Sequence, residues 1–395
     1  MDSGQYISVR ASVPSGVSTG THEAFQLRDR KKRLAGMGVI QAIRNLENII
    51  GPAIIGKEPD VVALDIIMAN LDGTDDKSKL GSNTILATSL AVLRAQAVVN
   101  GLEPYELIAS LCNLNTISIP IPMFNIINGG AHASNNLDIQ EFMLIPTGQA
   151  TFRSAMESAA EVFYNLKALL KEKGLGSCAG DEGGFSPNLS NEKQALDILV
   201  ETIEKSNDII DGEFVIGLDI AATQCYNPKT KKYTLSGQIY SSEELITHYQ
   251  ELITNYPIIY LEDPFAQDDW DTWKAFTGLF SDNIQIVGDD IFATNPARIL
   301  KGVKAGVANA SVIKPNQIGT VTETLQAILT CKENGYDTII AHRSGETNDT
   351  IIVDLAIGTQ SGQIKAGGLT RGERMAKYNR LLRIEDKLTM DALGN

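Results

Sequence analysis

The chain reads as an α/β protein in which an eight-stranded β/α barrel, residues 115–395, follows a smaller α+β region, residues 1–114. Three observations predict this. Short apolar runs recur beyond residue 115, and helical patterns separate most of them. From Asp219 onward the ends of these runs lie 43, 27, 25, 28 and 23 residues apart, the length of a strand plus a crossover helix. The composition also shifts over residues 113–122, where Pro120 and Pro122 punctuate an apolar stretch. A chain of 395 residues suits two such units and buries a large core.

The elements follow in order. After a short extended start comes a small-residue loop, Ser15-Gly16-Val17-Ser18-Thr19-Gly20, which lacks the lysine-ended pattern of a nucleotide cradle. Val39, Ala42, Ile43, Leu46, Ile49 and Ile50 recur at helical spacing. The turn Asp72-Gly73-Thr74-Asp75-Asp76 precedes a second helical pattern over 83–100. The strand candidates are 142–145, 178–182, 215–219, 258–262, 284–289, 312–314, 339–342 and 363–365. Ser241 with Glu244 forms a capping box, and Thr294 with Pro296 marks another helix start. Met123, Phe142 and Met143 read as core.

The balance of 34 basic and 48 acidic residues gives a charge of 34 − 48 = −14, which argues against nucleic acid and anionic membrane as partners. Its longest basic cluster, Arg30-Lys31-Lys32-Arg33, is too short to reverse that. The four cysteines, Cys112, Cys178, Cys225 and Cys331, show neither paired nor regular spacing, so zinc and a disulfide framework are not supported. With no stretch of 18 apolar residues and no apolar leader segment, the expectation is a cytoplasmic protein without a membrane span.

In a β/α barrel the C-terminal ends of the strands converge on one mouth. Here six consecutive units end in ionisable residues: Asp219, Glu262, Asp289, Lys314, His342 with Arg343, and Lys365. Three carboxylates around one point call for a cation, and hard oxygen donors select magnesium, calcium or manganese. Lys314 and Lys365 would face that ion, and its field would lower their proton affinity toward that of a base. Arg343 with Ser344 offers a donor fork and a hydroxyl to a phosphate or carboxylate. Asp181-Glu182-Gly183-Gly184 adds an acidic pair on a glycine turn. Together these suit removal of a proton next to a carboxylate, with metal holding the resulting dianion and a carboxylic acid protonating a leaving group.

Several motifs, in order along nearly the whole chain, carry a resemblance. They are the Ser15 loop, Asn128-Gly129-Gly130-Ala131-His132-Ala133, Gln140-Glu141-Phe142-Met143, Gly180-Asp181-Glu182-Gly183-Gly184-Phe185, Leu261-Glu262-Asp263-Pro264, Gly288-Asp289-Asp290, Lys314-Pro315-Asn316-Gln317, His342-Arg343-Ser344-Gly345-Glu346-Thr347 and Ala376-Lys377-Tyr378-Asn379. The chain resembles the enolases (phosphopyruvate hydratases), hydro-lyases on an enolase-type TIM barrel. The resemblance implies two Mg²⁺ per active site, the first on Asp219, Glu262 and Asp289, the second with Ser18 and arriving with substrate. It makes Lys314 the base toward 2-phosphoglycerate and Glu182, assisted by Glu141, the acid that yields phosphoenolpyruvate. His132 would close over the substrate, Lys365 would hold its carboxylate, and Arg343 with Ser344 its phosphate beside His342. A Lys or His base with one or two Mg²⁺ is the general pattern of such sites.

The departures are specific. The family's first strand has no counterpart at the start of this sequence; Ala341, Ala366 and Asn348 replace Ser, Thr and Glu, and Thr223-Gln224-Cys225-Tyr226 replaces a Ser-Glu-Phe-type run. None removes an implied ligand or base. Asp181, Asp263 and Asp290 are expected to support their neighbours, and His22 and His248 to be ordinary polar groups. The resemblance also implies a homodimer in which Arg383 and Asp386 pair across the interface, weakened here, with an exposed sheet edge near residues 7–13. A non-catalytic paralogue acting as a binding or surface-displayed protein is the alternative from another class, and an enolising enzyme for another acid is a third.

Overall fold

The computed structural model describes residues 6–17 and 19–393. Ser18 lies outside the described residues. Before the barrel the chain is helical. Ile40–Asn45 continues through a wider turn, Leu46–Ile50, into Gly51–Ile54, followed by Val61–Asp72, Ser82–Val99 and Pro104–Leu111. Local chemistry sets these limits. The Asp60 side chain accepts the Ala63 N–H to start one helix, which ends at Gly73 in the left-handed conformation. Pro104 and the Glu103/Glu106 capping box start another.

The sheet expected in this region is not found: among the described residues before Ile121 there is no strand, only an isolated bridge between Ser15 and Gly345. The extended segment lies on the barrel instead, where the Ser12 N–H donates to Asp349 at 2.8 Å and Arg94 pairs with the same carboxylate at 2.6 Å.

Eleven strands follow. Eight close the barrel: β1 (Ile121–Asn128), β2 (Glu141–Thr147), β3 (Glu213–Asp219), β7 (Ile258–Glu262), β8 (Gln285–Gly288), β9 (Ala310–Ile313), β10 (Asp337–Ala341) and β11 (Gln363–Gly367). The other three, β4 (Tyr226–Asn227), β5 (Lys232–Leu235) and β6 (Gln238–Tyr240), form a small antiparallel sheet inside the crossover after β3. The order around the barrel is β1-β11-β10-β9-β8-β7-β3-β2.

Two expectations are corrected here. Residues 178–182 are not a strand but a tight turn, in which Gly183 has φ +91° and Gly180 and Gly184 press against Asn128 so closely that a Cβ would clash. The eighth strand is β1, whose one proline, Pro122, is tolerated because it stands near the beginning, where a missing N–H costs least. Nor is the barrel wholly parallel: β2 runs antiparallel to both β1 and β3.

Met123, Met143, Tyr260, Val287, Val312 and Ile339 pack together inside the barrel, so it is a filled core and not a pore. Phe142 points the other way, into the layer between sheet and helices. Ser241 and Glu244 form the expected capping box. The helix Pro296–Ala305 is capped by Asn295, one residue later than expected, while buried Thr294 donates to Gln317. Among the described residues no single helix is long and apolar enough to cross a membrane.

Candidate active site

The strands deliver the ionisable residues to one mouth. Asp219 and Glu262 are the last residues of β3 and β7, Asp289, Lys314 and His342 directly follow β8, β9 and β10, and Lys365 lies within β11. Glu141 joins them from the opposite chain direction, as the first residue of reversed β2. Glu182 comes from the glycine turn and His132 from a short turn after β1. That turn is fixed by the Asp181 N–H donating to the His132 carbonyl at 3.0 Å.

One half of the mouth is built for a proton. Glu182 and Glu141 are both buried. His132 Nδ1 stands 3.4 Å from Glu182 and 3.8 Å from Glu141, His342 Nε2 lies 3.6 Å from Glu182, and the Asn125 amide donates to Glu182 at 2.9 Å. Burial and the adjoining Glu182 charge push the Glu141 carboxyl well up. Burial acts the same way on Glu182, but the two imidazoles against it prevail and hold it well below the usual range. A proton shared by the pair therefore rests on Glu141. Burial keeps His342 neutral. Arg374 donates to its Nδ1, which leaves the ring proton on Nε2, facing Glu182.

The other half is built for cations. Lys365 Nζ lies 2.8 Å from Glu262, 3.2 Å from Asp219 and 3.1 Å from Glu141, so it ties the two halves together. Lys314 Nζ pairs with Asp289, which also accepts from Gln317 at 2.9 Å. Asp263 accepts the backbone N–H groups of Asp289 and Asp290, each at 2.9 Å. Burial, then the Asp219 charge, raises Glu262 to about 8. Burial, then the Asp289 charge, raises Asp290 to about 7.

The expected lowering of the lysines rests on the field of a bound ion, and among the protein's own groups the balance runs the other way. Burial favours their neutral form, but Asp289 beside Lys314 and the three carboxylates around Lys365 outweigh it, and both proton affinities are raised. Here the ammonium groups themselves offset the carboxylates. Residues of both halves and of the rim line a cavity of about 20 Å³ at the mouth.

At the rim, buried Arg343 is bound by Glu23, at 2.9 Å from Nη1 and 3.2 Å from Nη2. Ser344 Oγ accepts the Val17 N–H at 2.8 Å. Arg374, fully buried, donates to the carbonyls of Arg343, Asp181 and Ser344 at 2.7, 3.0 and 2.8 Å and so clamps two loops.

Among the described residues two groups have oxygen or nitrogen atoms close enough together to hold a metal ion: Asp263, Asp289 and Asp290, and His132, Glu141 and Glu182, each within 4.8 Å. The first fits a hard divalent cation. It offers only carboxylate oxygens, and burial with mutual repulsion drives Asp263 and Asp290 toward the protonated form, a cost that a divalent ion would remove. Asp219 and Glu262 adjoin it around Lys365.

Sequence reasoning brought Asp219, Glu262, Asp289, Lys314, His342, Arg343 and Lys365 to this mouth from their strand positions, and the structure gathers all of them there. It missed Glu23, Asn125, Gln317 and Arg374. Gln317 stands inside the lysine motif, three residues after Lys314, but was given no role of its own. Arg374 sits at a helix start and carries no strand-end signal.

A closed barrel that gathers carboxylates, lysines and histidines at one mouth is of the TIM-barrel class. Residues 116–394 match the family model described as enolase, C-terminal TIM barrel domain, and residues 2–108 match that of the enolase N-terminal domain. The chain belongs to the enolase family.

Proposed function

We propose that this protein is a cytoplasmic, magnesium-dependent hydro-lyase that interconverts 2-phosphoglycerate and phosphoenolpyruvate in glycolysis, working as a homodimer. The observation that carries the reading is the division of the mouth, with a proton-sharing carboxyl pair on one side, a lysine poised on the other and Lys365 bridging them. Lys314 takes the C2 proton. Its ammonium, paired with Asp289, must first give a proton to solvent, and a divalent cation held by that carboxylate would favour the neutral amine. Glu182, fed by the proton on Glu141, meets the departing C3 hydroxyl. Lys365 holds the substrate carboxylate, and Arg343 with Ser344 holds the phosphate, beside His342. His132 shields the acid pair.

Asp219, Glu262 and Asp289, with Ser18 for a second ion, would hold magnesium, which stabilises negative charge on the substrate carboxylate. The structure brings Asp263 and Asp290 close to the first set as additional candidates. Asp386, implied in the dimer contact, is paired with Arg153 of its own chain at 2.7 Å, and Arg383 is exposed. The reading is tested by following phosphoenolpyruvate absorbance from 2-phosphoglycerate. Magnesium-dependent turnover is expected, and a correctly folded, magnesium-loaded protein without it overturns the assignment. Sedimentation at micromolar and nanomolar concentration tests the dimer.

A further inference from the structure

Arg374 stands near the start of the helix Gly372–Leu393, fully buried and outside the lining of the mouth, yet its guanidinium reaches the acid half. Room for its stem comes from Gly367, held at φ +94°, where a Cβ would stand 2.7 Å from Arg374 Cδ. Each of its terminal N–H bonds has an acceptor. Nη1 donates to His342 Nδ1 and, at 2.7 Å, to the Arg343 carbonyl. Nη2 donates to the carbonyls of Asp181 and Ser344 at 3.0 and 2.8 Å. The three carbonyls fix the plane and direction of the group, so the remaining hydrogen is aimed at the imidazole.

A guanidinium gives hydrogens, takes none and does not lose its proton in a protein. His342 Nδ1 must therefore offer a lone pair. Imidazolium is disfavoured, and so is the tautomer with hydrogen on Nδ1, because either would set N–H against N–H. Burial acts in the same direction and pushes the imidazole well down, toward its neutral form. The one ring hydrogen left to His342 is on Nε2, which stands 3.6 Å from Glu182. On other sides Glu182 has the Asn125 amide at 2.9 Å and His132 Nδ1 at 3.4 Å. A donor-only His342 completes a set that favours the Glu182 carboxylate and leaves the proton to Glu141. With hydrogen on Nδ1 instead, Nε2 would turn a lone pair on that carboxylate and repel it.

We propose that Arg374 is a positioning residue that locks His342 as a neutral donor toward Glu182, so that His342 orients the acid pair and is not itself the proton carrier. The inference rests on the reading of Glu182 and Glu141 as the acid side of the reaction. It predicts that a change at position 374 moves the ring hydrogen of His342 and slows the acid step, while proton removal by Lys314 at the other half of the mouth continues.

The test uses the full chain with magnesium. Because the sequence has four histidines, nitrogen NMR of histidine-labelled protein separates the rings, and the signals lost in His342→Gln assign the one required. In wild type at neutral pH His342 should carry its hydrogen on Nε2. Hydrogen on Nδ1, or on both nitrogens, overturns the proposal, and this readout stands even where a variant at position 374 fails to fold. Arg374→Gln can turn its amide oxygen to the ring, so hydrogen should appear on Nδ1; Arg374→Lys, still a donor only, should keep it on Nε2. A wild-type pattern in folded Arg374→Gln overturns the proposal. In heavy water with 2-phosphoglycerate, Arg374→Gln should still exchange the C2 proton while dehydration falls about 10²-fold, the lower end of what a positioned proton donor contributes. Arg374→Lys should recover part of that loss. A merely loosened fold lowers exchange and dehydration together, and that outcome overturns the proposal. A protein inactive toward 2-phosphoglycerate that shows the NMR patterns loses the proposed reaction and keeps the lock, whereas an active enzyme with hydrogen on His342 Nδ1 sinks the lock alone.

Discussion

The two acidic groups at the barrel mouth are made of similar side chains and behave in opposite ways. Around Glu182 the neighbours are imidazoles and an amide, which stabilise one carboxylate and leave the proton to Glu141. Around Asp289, Glu262 and Asp219 the neighbours are ammonium groups and other carboxylates, and the charge balance depends on how many cations are present. The first group stores a proton; the second waits for positive charge. Burial is nearly the same in both, so the partner decides the role and not the depth.

The sharpest way to break this comparison is to remove the proposed base. Lys314→Ala should lower turnover about 10²- to 10⁴-fold, the usual contribution of a positioned proton acceptor, while magnesium binding measured by calorimetry persists. Near-normal turnover, or lost metal binding, would mean that Lys314 belongs to the cation-holding machinery alone. Next comes the bridge between the halves. Lys365→Met leaves buried Glu262, Asp219 and Glu141 without their shared cation and should cost roughly 3 to 5 kcal/mol of stability in metal-free denaturant titration. A loss below 1 kcal/mol would show that the carboxylates relax by taking up protons.

A smaller effect is expected from pH. Carboxyls raised in the folded state, Glu262 to about 8 and Asp290 to about 7, favour folding while protonated. Their contribution is whole below the unfolded carboxyl range and is lost as pH rises through the raised values. The thermal midpoint of metal-free protein should therefore decline between about pH 5 and pH 8, and magnesium should flatten the decline. A metal-free midpoint that rises across this window contradicts the charge balance drawn for the second group. At the far end, Arg153→Ala removes a half-exposed ion pair with Asp386, remote from both groups, and should leave the thermal midpoint and turnover unchanged.

Legibility followed the physics of the strands. An apolar run ending in a charged residue is a local signal, and the barrel gathers such ends, so Asp219, Glu262, Asp289, Lys314 and Lys365 could be brought together from their spacing. The acid half was harder. Glu141 begins its strand because β2 is reversed, and Glu182 rides on a turn held by glycines packed against Asn128. Neither position obeys the strand-end rule; Glu141 was reached through motif resemblance alone, whereas Glu182 was read first as an acidic group on a glycine turn and took its role from the resemblance. Pro120 and Pro122 hid β1 because proline usually interrupts a strand. Glu23 and Arg374 act through contacts 320 and 31 residues away along the chain, and no periodicity encodes such partners.

Arg374 also imposes an order in time. Every strand of the barrel precedes it in the sequence, as do the loops carrying Asp181, Arg343 and Ser344, whose carbonyls it gathers from within the helix Gly372–Leu393. A ribosome therefore makes all the proposed reacting groups before the side chain that ties their loops together. A nascent chain stalled short of residue 374 would hold the chemistry without its brace, and the competent mouth forms only once that arginine is free to dock.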